Sequence, residues 1–308
     1  MKILRGKYKV KPKVAYRTRY GSMYLGESKQ TISDKLLSRY ENKVQLIFTS
    51  PPFLLNAEKK YGNYLGEDYV NWLAAYAPLF RALLKPRGSI VIEIGNAWES
   101  KQPLMSLLPL KSLIQFLERG KLKLCQQFIW NNPAKLPTPA QWVNIKRIRV
   151  KDAFTNIWWM AKNVYPTASN RRVLEAYSAS MQKLLKNQAY NSGTRPSEHA
   201  IGVKSFLKNN KGAIPSNVLT FPNTHSGTQY QLYCKEKAIA PHPARMPEAL
   251  PEFFIKLLTK PGDIVLDPFA GSNTTGAVAE RLKRKWISIE QVKDYIAGSK
   301  GRFNKILR

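Results

Sequence analysis

At 308 residues, with 50 Lys and Arg against 20 Asp and Glu, the chain carries a formal net charge of +30. That length suits one large α/β domain with an inserted lobe, or two modest domains, and the charge points to a polyanion, nucleic acid before an anionic membrane. No apolar run is long enough to span a bilayer and the polar, basic N-terminus is no signal peptide, so a soluble intracellular protein is expected. Cys125 and Cys234 are too few for a disulfide framework, His199, His225 and His242 are scattered without ligand spacing, and no metal is expected.

Residues 1 to about 20 bring together Lys2, Arg5, Lys7, Lys9, Lys11, Lys13, Arg17 and Arg19 with interleaved tyrosines, and read equally as a solvated tail or a phosphate-contacting arm. A short strand over 22–27 that ends in Gly26 and Glu27, a helix through Leu36 and Leu37, and a strand over 44–48 then make one βαβ unit. The third of these is nearly continuous in β-branched and large apolar residues, as a buried parallel strand is, and Pro51 and Pro52 forbid any extension of its ladder. Two fixed φ angles hold Ser50 extended. Thr49, Ser50, Pro51, Pro52 and Phe53 thus form a stiff hook that presents a hydroxyl, a carbonyl and an aromatic ring, suited to a small planar substrate; a rigid structural loop is the other reading of two prolines after a strand.

Helical spacing of Tyr69, Trp72, Leu73, Tyr76, Leu79, Phe80 and Leu83 predicts a helix over 67–84, stopped at Lys85, Pro86, Arg87 and Gly88. The next strand, 89–94, is apolar except for Glu93, whose place at the carboxyl end of a parallel strand faces the crevice where such sheets bind ligands; a functional and a merely solvated carboxylate are both open. A helix around 104–118 and strands over 125–130 and 154–160 complete this half. Between about 165 and 240 the periodicity fades and bases are scattered with few acids: Arg171, Arg172, Lys183, Lys186, Arg195, Lys204, Lys208 and Lys211. A loop-rich basic lobe inserted in an α/β domain reads as a nucleic-acid-reading module, with a plain surface insertion as the alternative.

The last stretch predicts a strand over 263–266, a tight turn at Asp267, Pro268, Phe269, Ala270, Gly271 and Ser272, a helix starting near Asn273, Thr274 and Thr275, and a strand over 286–289 ending in Glu290. A glycine-containing turn lets a ligand approach the backbone at a helix N-terminus, and an acid after the next strand accepts hydrogen bonds from ribose hydroxyls. The full dinucleotide fingerprint is absent, so the order strand, turn, helix, strand, Glu carries the reading of a nucleoside-binding half.

With both loops in hand, the chain resembles the DNA amino-methyltransferases, enzymes that methylate the exocyclic nitrogen of cytosine or adenine. Ser50, Pro51, Pro52 and Phe53 match their catalytic tetrapeptide, and 267–276 matches their S-adenosylmethionine loop. The order of catalytic half, recognition insert and cofactor half is the permuted arrangement of the β group. The resemblance covers nearly the whole chain, through Trp130, Asn131, Asn132 and Pro133, through 142–152, Thr194, Arg195, Pro196 and Ser197, and through His242, Pro243, Ala244 and Arg245, and is similar in particular to the PvuII-type cytosine-N4 modification methylases. It implies an α/β, S-adenosylmethionine-dependent methyltransferase fold: a mostly parallel, doubly wound, circularly permuted sheet with an inserted target-recognition lobe. The implied divisions are 1–164 for the catalytic half, 165–240 for the insert and 241–308 for the cofactor half.

Carried across residue by residue, the resemblance implies that Ser50 and the Pro51 carbonyl hold the target amino group and that Phe53 stacks on the flipped base, with Pro52 in the same hook and Trp130 closing the other face. It implies that Asp267, Phe269 and Gly271, with Ser272, Asn273 and Thr274 in the same loop, line the methionine end of S-adenosylmethionine, that 242–247 wraps that end, that Glu290 takes the ribose and that Glu27 meets the adenine. Arg171, Arg172, Arg195 and Lys204 are the implied DNA contacts. Asn273 departs from the pattern, which more often has a second glycine there, but asparagine tolerates a left-handed backbone. Double-stranded DNA, a cognate restriction endonuclease and a cytoplasmic, prokaryotic or phage-encoded setting without membrane contact follow from the same resemblance.

The chemistry fits these residue types. An exocyclic amine is a poor nucleophile because its lone pair is conjugated with the ring. Hydrogen bonds from its two hydrogens to the Ser50 hydroxyl and the Pro51 carbonyl favour a pyramidal nitrogen, so positioning carries most of the work. The base must also leave the duplex, at a cost that stacking on Phe53 partly offsets, while Glu93 is placed to polarise the serine or relay a proton. A cytosine-C5 enzyme needs a cysteine nucleophile, and neither cysteine follows a proline at a strand end. Serine in place of an acid at position 50 leans to cytosine N4 over adenine N6. A catalytically silent DNA-binding protein of the same fold is the third reading, opposed by the intact hook and Glu290.

Overall fold

The computed structural model describes residues 11–53, 64–190, 192–202, 205–224 and 228–303. They form two compact units: residues up to Ala168 together with those from Asn217 onward, and Ser169–Ser216. In chain order the first unit has β1 (Lys13–Arg17), β2 (Gly21–Leu25), α1 (Ser28–Thr31), which passes through a π turn at Ile32–Leu36 into α2 (Leu37–Tyr40), then β3 (Val44–Thr49), α3 (Gly66–Ala74), α4 (Ala77–Leu83), β4 (Leu84–Gly95), α5 (Leu108–Gly120), β5 (Lys123–Asn131) and β6 (Phe154–Ala161). The second unit holds α6 (Ala179–Asn187), β7 (Gly193–Thr194) and β8 (Ala200–Ile201). The chain then returns to the first through β9 (Val218–Thr220), α7 (Gln229–Glu236), α8 (Ala249–Leu258), β10 (Ile264–Asp267), α9 (Thr274–Arg281), β11 (Lys285–Glu290) and α10 (Lys293–Ser299).

Nine strands make one sheet in the order β1-β2-β11-β10-β3-β4-β6-β5-β9. From β2 to β4 every pairing is parallel, so β10 and β11 from the end of the chain are seated between β2 and β3 from its beginning. β6 runs antiparallel to both neighbours, β1 is an antiparallel edge and β9 a parallel one. The five central carboxyl ends therefore share one edge, where parallel sheets bind ligands, and Gly26 and Glu27, Glu290, Asp267, Ser50 and the end of β4 are brought there together. All six residues of β3 are buried. Ile47, Ile90, Ile92, Leu266 and Ile287 pack with Leu73, Phe80 and Trp158 in the core. Even Gln45 is buried, its amide donating to the Arg87 and Leu258 carbonyls at 3.3 Å.

Three expectations change. The basic start of the chain is not all tail or arm: 13–17 is strand β1, and Tyr16 is buried with its hydroxyl 2.7 Å from Ser299 Oγ. Lys11, Lys13, Arg17 and Arg19 are exposed, while Lys2, Arg5, Lys7 and Lys9 lie outside the described residues. The helix expected over 67–84 is two helices, because Pro78 has no N–H to give the Ala74 carbonyl and the first helix ends there. The stop at 85–88 is a bulge inside β4: Leu84 pairs with Val44, Ser89 with Leu46, and the residues between loop out around Gly88, where a Cβ would sit 3.0 Å from the Val44 carbonyl oxygen. Among the described residues no helix is long and apolar enough to cross a membrane.

In the second unit, Arg171 and Arg172 form a single helical turn with Asn170, and α6 carries the exposed Lys183 and Lys186. The Arg195 guanidinium lies over the Tyr190 ring at 5.8 Å, and Tyr190 meets Phe206 edge-on at 5.0 Å. Lys204 lies outside the described residues.

Candidate active site

The turn after β10 is held from every side. Asp267, buried at the strand end, accepts from the Thr49 hydroxyl at 2.7 Å and from the Phe269 amide at 3.1 Å; burial still pushes its carboxyl up to about 6. The Ser28 hydroxyl donates to the Pro268 carbonyl. Gly271 has φ +50, and a Cβ there would lie 2.9 Å from His242 Nε2, so both its backbone and its neighbour require glycine. The His242 ring is itself held, its Nδ1 accepting from the Ala244 amide at 3.2 Å while the His242 backbone amide donates to the Tyr230 hydroxyl at 2.8 Å, and burial lowers its pKa. Asn273 takes the left-handed backbone, φ +58, that its side chain tolerates.

Three residues expected to line the cofactor have side chains hydrogen-bonded within the protein. The Asn273 amide is wholly buried, donating to the Tyr16 hydroxyl at 3.0 Å and accepting from Ser288 at 2.7 Å. Ser272 accepts from the Arg302 guanidinium on its carbonyl at 2.8 Å and on its hydroxyl at 3.1 Å, and the Thr274 hydroxyl sits 3.3 Å from that of Ser272. These hydrogen bonds fix the shape of the turn, since polar groups buried there must be paired inside the protein. Tyr16, Ser288 and Arg302 are the partners missed in the sequence, where no local pattern marks them.

The carboxylates at the two neighbouring strand ends are also organised. Glu290 Oε1 accepts from the Gln291 and Val292 amides at 2.8 Å, and Oε2 from the Gly271 amide at 2.9 Å; burial nevertheless raises its pKa. One lone pair on Oε2 is left for a ligand hydroxyl. Glu27 caps α1, accepting from the Lys29 amide at 3.0 Å and the Gln30 amide at 2.7 Å, and takes the Tyr76 hydroxyl at 2.9 Å. Phe269 packs on Trp72 and Tyr76 with ring centroids 5.5 and 5.2 Å away. Two carboxylates at strand ends, a glycine turn that admits backbone approach and an aromatic wall are a donor set that fits a nucleoside cofactor.

The hook after β3 stands one strand over. The register Thr49↔Ile92 brings Ser50 beside Glu93, and the two side chains hydrogen-bond. Glu93 is only 3% exposed, and burial pushes its carboxyl up to about 7. Ser50 and the Lys135 ammonium pull it back toward the charged form; Thr155 lies near, but its buried hydroxyl makes no hydrogen bond of ordinary geometry. Phe53 rests on Gly95, where a Cβ would come within 2.9 Å of the ring. Thr49 and Asp267 join hook and turn, so the two loops form one edge.

Trp130 differs from expectation. At 6% exposure its indole is buried and donates to the Phe221 carbonyl at 2.8 Å, so it packs β5 against the segment after β9 and offers no free face. In its neighbourhood lies a polar chain the sequence did not reveal: Lys135 to Asp152 at 2.9 Å, Asn96 to Asp152 at 2.8 Å, Asn156 to Asn96 at 3.0 Å and Gln127 to Asn156 at 2.8 Å. Cys125 is half-buried with its thiol pushed up to about 11 by burial, so it is not poised as a thiolate, and Cys234 is buried. Arg171, Arg172 and Arg195 belong to the second unit.

A permuted α/β sheet with a nucleoside turn wired to a Ser-Pro-Pro-Phe hook is the fold of the S-adenosylmethionine-dependent methyltransferases. A family model described as DNA methylase, N6_N4_Mtase, matches residues 44–301, and the chain belongs to that family. It is 45% identical over 293 residues to the type II methyltransferase M.PvuII of Proteus hauseri, covering 94% of this chain and 86% of that protein. It is 33% identical to M2.LlaDCHI of Lactococcus lactis subsp. cremoris, over 89% of this chain and 87% of that one. The solved PvuII DNA methyltransferase (cytosine-N4-specific) superposes with a TM-score of 0.75 at 40% identity, covering 94% and 89% of the two chains. An M1.HpyAVI–SAM complex, at 22% identity, 92% and 99% coverage and a TM-score of 0.54, shares the fold.

Proposed function

We propose that the protein transfers a methyl group from S-adenosylmethionine to the N4 amino group of cytosine in double-stranded DNA, as the modification enzyme of a type II restriction–modification system, in the cytoplasm and beside a cognate endonuclease. The observation that carries this is the Ser50–Glu93 pair next to the Thr49–Asp267 link: a neutral acceptor for an amine hydrogen, backed by a buried carboxyl, one residue from the cofactor turn. The similarity to methyltransferases named as type II and cytosine-N4-specific supports the choice of base and system.

When bound, S-adenosylmethionine supplies an electrophilic methyl on a sulfonium. Asp267, Gly271, Glu290 and Glu27 hold it at the strand ends, and Phe269 gives it an apolar wall. Phe53 stacks on the extruded cytosine, paying back part of the few kcal/mol of unstacking. The Ser50 hydroxyl donates to Glu93 and accepts one N4 hydrogen, while the Pro51 carbonyl accepts the other; the paired acceptors turn the nitrogen lone pair out of conjugation. Once N4 carries the methyl it sheds one proton to Ser50 Oγ as the Ser50 proton passes to Glu93, whose carboxyl near 7 both accepts it and returns it to water. Residues 165–240, with Arg171, Arg172, Arg195 and Lys204, act as the target-recognition insert, a role supported by their charge.

Incubation of the protein with unmethylated plasmid and isotopically labelled S-adenosylmethionine, followed by digestion to nucleosides, is expected to yield labelled N4-methyldeoxycytidine within one sequence context. Label in N6-methyldeoxyadenosine alone overturns the choice of base.

A further inference from the structure

The polar chain through Asp152 anchors a feature the catalytic reading does not use. β5 ends at Asn131 opposite Phe154, and Thr155 pairs with Gly95, so the connection 132–153 leaves and rejoins the sheet at the edge that carries the hook. Its root is closed by backbone hydrogen bonds from Asn132 to Ala153 and from Asp152 to Thr138, both 2.9 Å. Asn96, next to the glycine on which Phe53 rests, ties the root through Asp152 at 2.8 Å.

The tip is the opposite of the root. Ile145, Ile148 and Val150 are 68%, 51% and 87% exposed, three branched apolar side chains within six residues. Scattered exposed apolar residues are ordinary on protein surfaces. These are interleaved with cations: the loop holds Lys135, Lys146, Arg147, Arg149 and Lys151 against the single acid Asp152, which Lys135 already occupies. Arg149 and Lys151 brace the loop on carbonyls of Pro103, Ile148, Pro133 and Lys135. The side chains of Lys146 and Arg147 are exposed and make no hydrogen bond or ion pair among the described residues. Apolar wedges flanked by bases are how proteins hold a duplex open, filling a stack that has lost a base.

We propose that loop 132–153 is a DNA wedge: Ile145, Ile148 and Val150 occupy the space in the stack vacated by the target base, and Lys146 and Arg147 grip the neighbouring phosphates. This rests on the methyltransferase reading above. Duplex DNA is the occupant because the free cations complement phosphate and the loop is rooted beside the residue that would receive the base. Its action is to keep the base from returning, which shifts the flipping equilibrium and leaves the transfer chemistry alone.

The test uses the full chain and two short duplexes built on the sequence context that the wild type methylates, one with the target cytosine paired to guanine and one with an abasic site opposite it. I145A/I148A/V150A is expected to slow single-turnover methylation of the paired duplex about tenfold or more and to leave the abasic duplex within about threefold of wild type, since an unpaired base needs little help to leave. K146Q/R147Q is expected to weaken binding to both duplexes and to reduce the salt slope of log Kd by about 1 to 2. Unchanged rates on the paired duplex, or an equal loss on both duplexes by the apolar variant, would overturn the proposal, the first assigning the apolar tip to another partner and the second to packing. Thermal unfolding of the variants separates the last outcome from misfolding, because truncating exposed side chains leaves the core intact. A wild type that methylates no sequence context in duplex DNA refutes the functional reading itself, and with it the wedge.

Discussion

The cofactor turn at 267–274 and the hook at 49–53 leave adjacent strands of one sheet edge and are built in different ways. In the turn nearly every polar group is taken: Asp267, Ser272, Asn273 and Glu290 are each bonded to the protein, and partners come from β1, β3, β11 and the segment after α10. In the hook two prolines, a ring resting on a glycine and one hydroxyl against one carboxyl set the geometry. A site that must bind the same cofactor every cycle is preorganised by hydrogen bonds, whereas a site that must admit a base from outside keeps its acceptors unspent. The hook should therefore fail in rate and the turn in affinity and stability.

The largest effect is expected at Ser50. Ser50→Ala should lower the single-turnover rate by roughly 10²- to 10⁴-fold with S-adenosylmethionine affinity unchanged, since the lost contact matters as the nitrogen pyramidalises. A pH profile sharpens the contrast. Burial raises the Glu93 carboxyl to about 7, so its proton-accepting form is present above that pH and lost below it, and the wild-type rate should climb through about pH 7 to a plateau. Glu93→Gln should flatten that limb. For folding the sign is the reverse: the neutral carboxyl is the one burial favours, so its stabilising share is full below the ordinary carboxyl range and is lost as pH rises through about 7.

Next in size is Glu290→Ala, which removes the carboxylate that three amides hold and that is proposed to take the ribose, and which should weaken S-adenosylmethionine by roughly 1.5 to 3 kcal/mol. Calorimetric titration reads this, and an unchanged affinity in a folded variant would break the comparison at its cofactor side. The smallest effect belongs to Asn273→Gly, which keeps the left-handed backbone but strands the Ser288 hydroxyl and takes one of the two partners of the Tyr16 hydroxyl, which keeps Ser299; a loss of about 1 to 3 kcal/mol in urea unfolding is expected. Asn273→Ala should cost more, because alanine also strains at φ +58.

What the sequence alone determined is local. Apolar runs ended by prolines or a glycine turn marked β3 and β10, a carboxylate was placed at the end of β11, and Asn273 could be placed in a left-handed backbone, because each signal lies within a few residues of the feature it shapes. The tertiary structure decided what depends on distant pairing. It drew 13–17 out of a basic tail into an edge strand, seated β10 and β11 between β2 and β3, buried Trp130 under Phe221, and joined Tyr16 to Asn273 across 257 positions. It also raised the Glu93 carboxyl by enclosing it, and gathered 132–153 onto an anchored root. Strand order and buried polar partners follow from which surfaces meet when the whole chain closes on its core. No window of neighbouring residues encodes that choice.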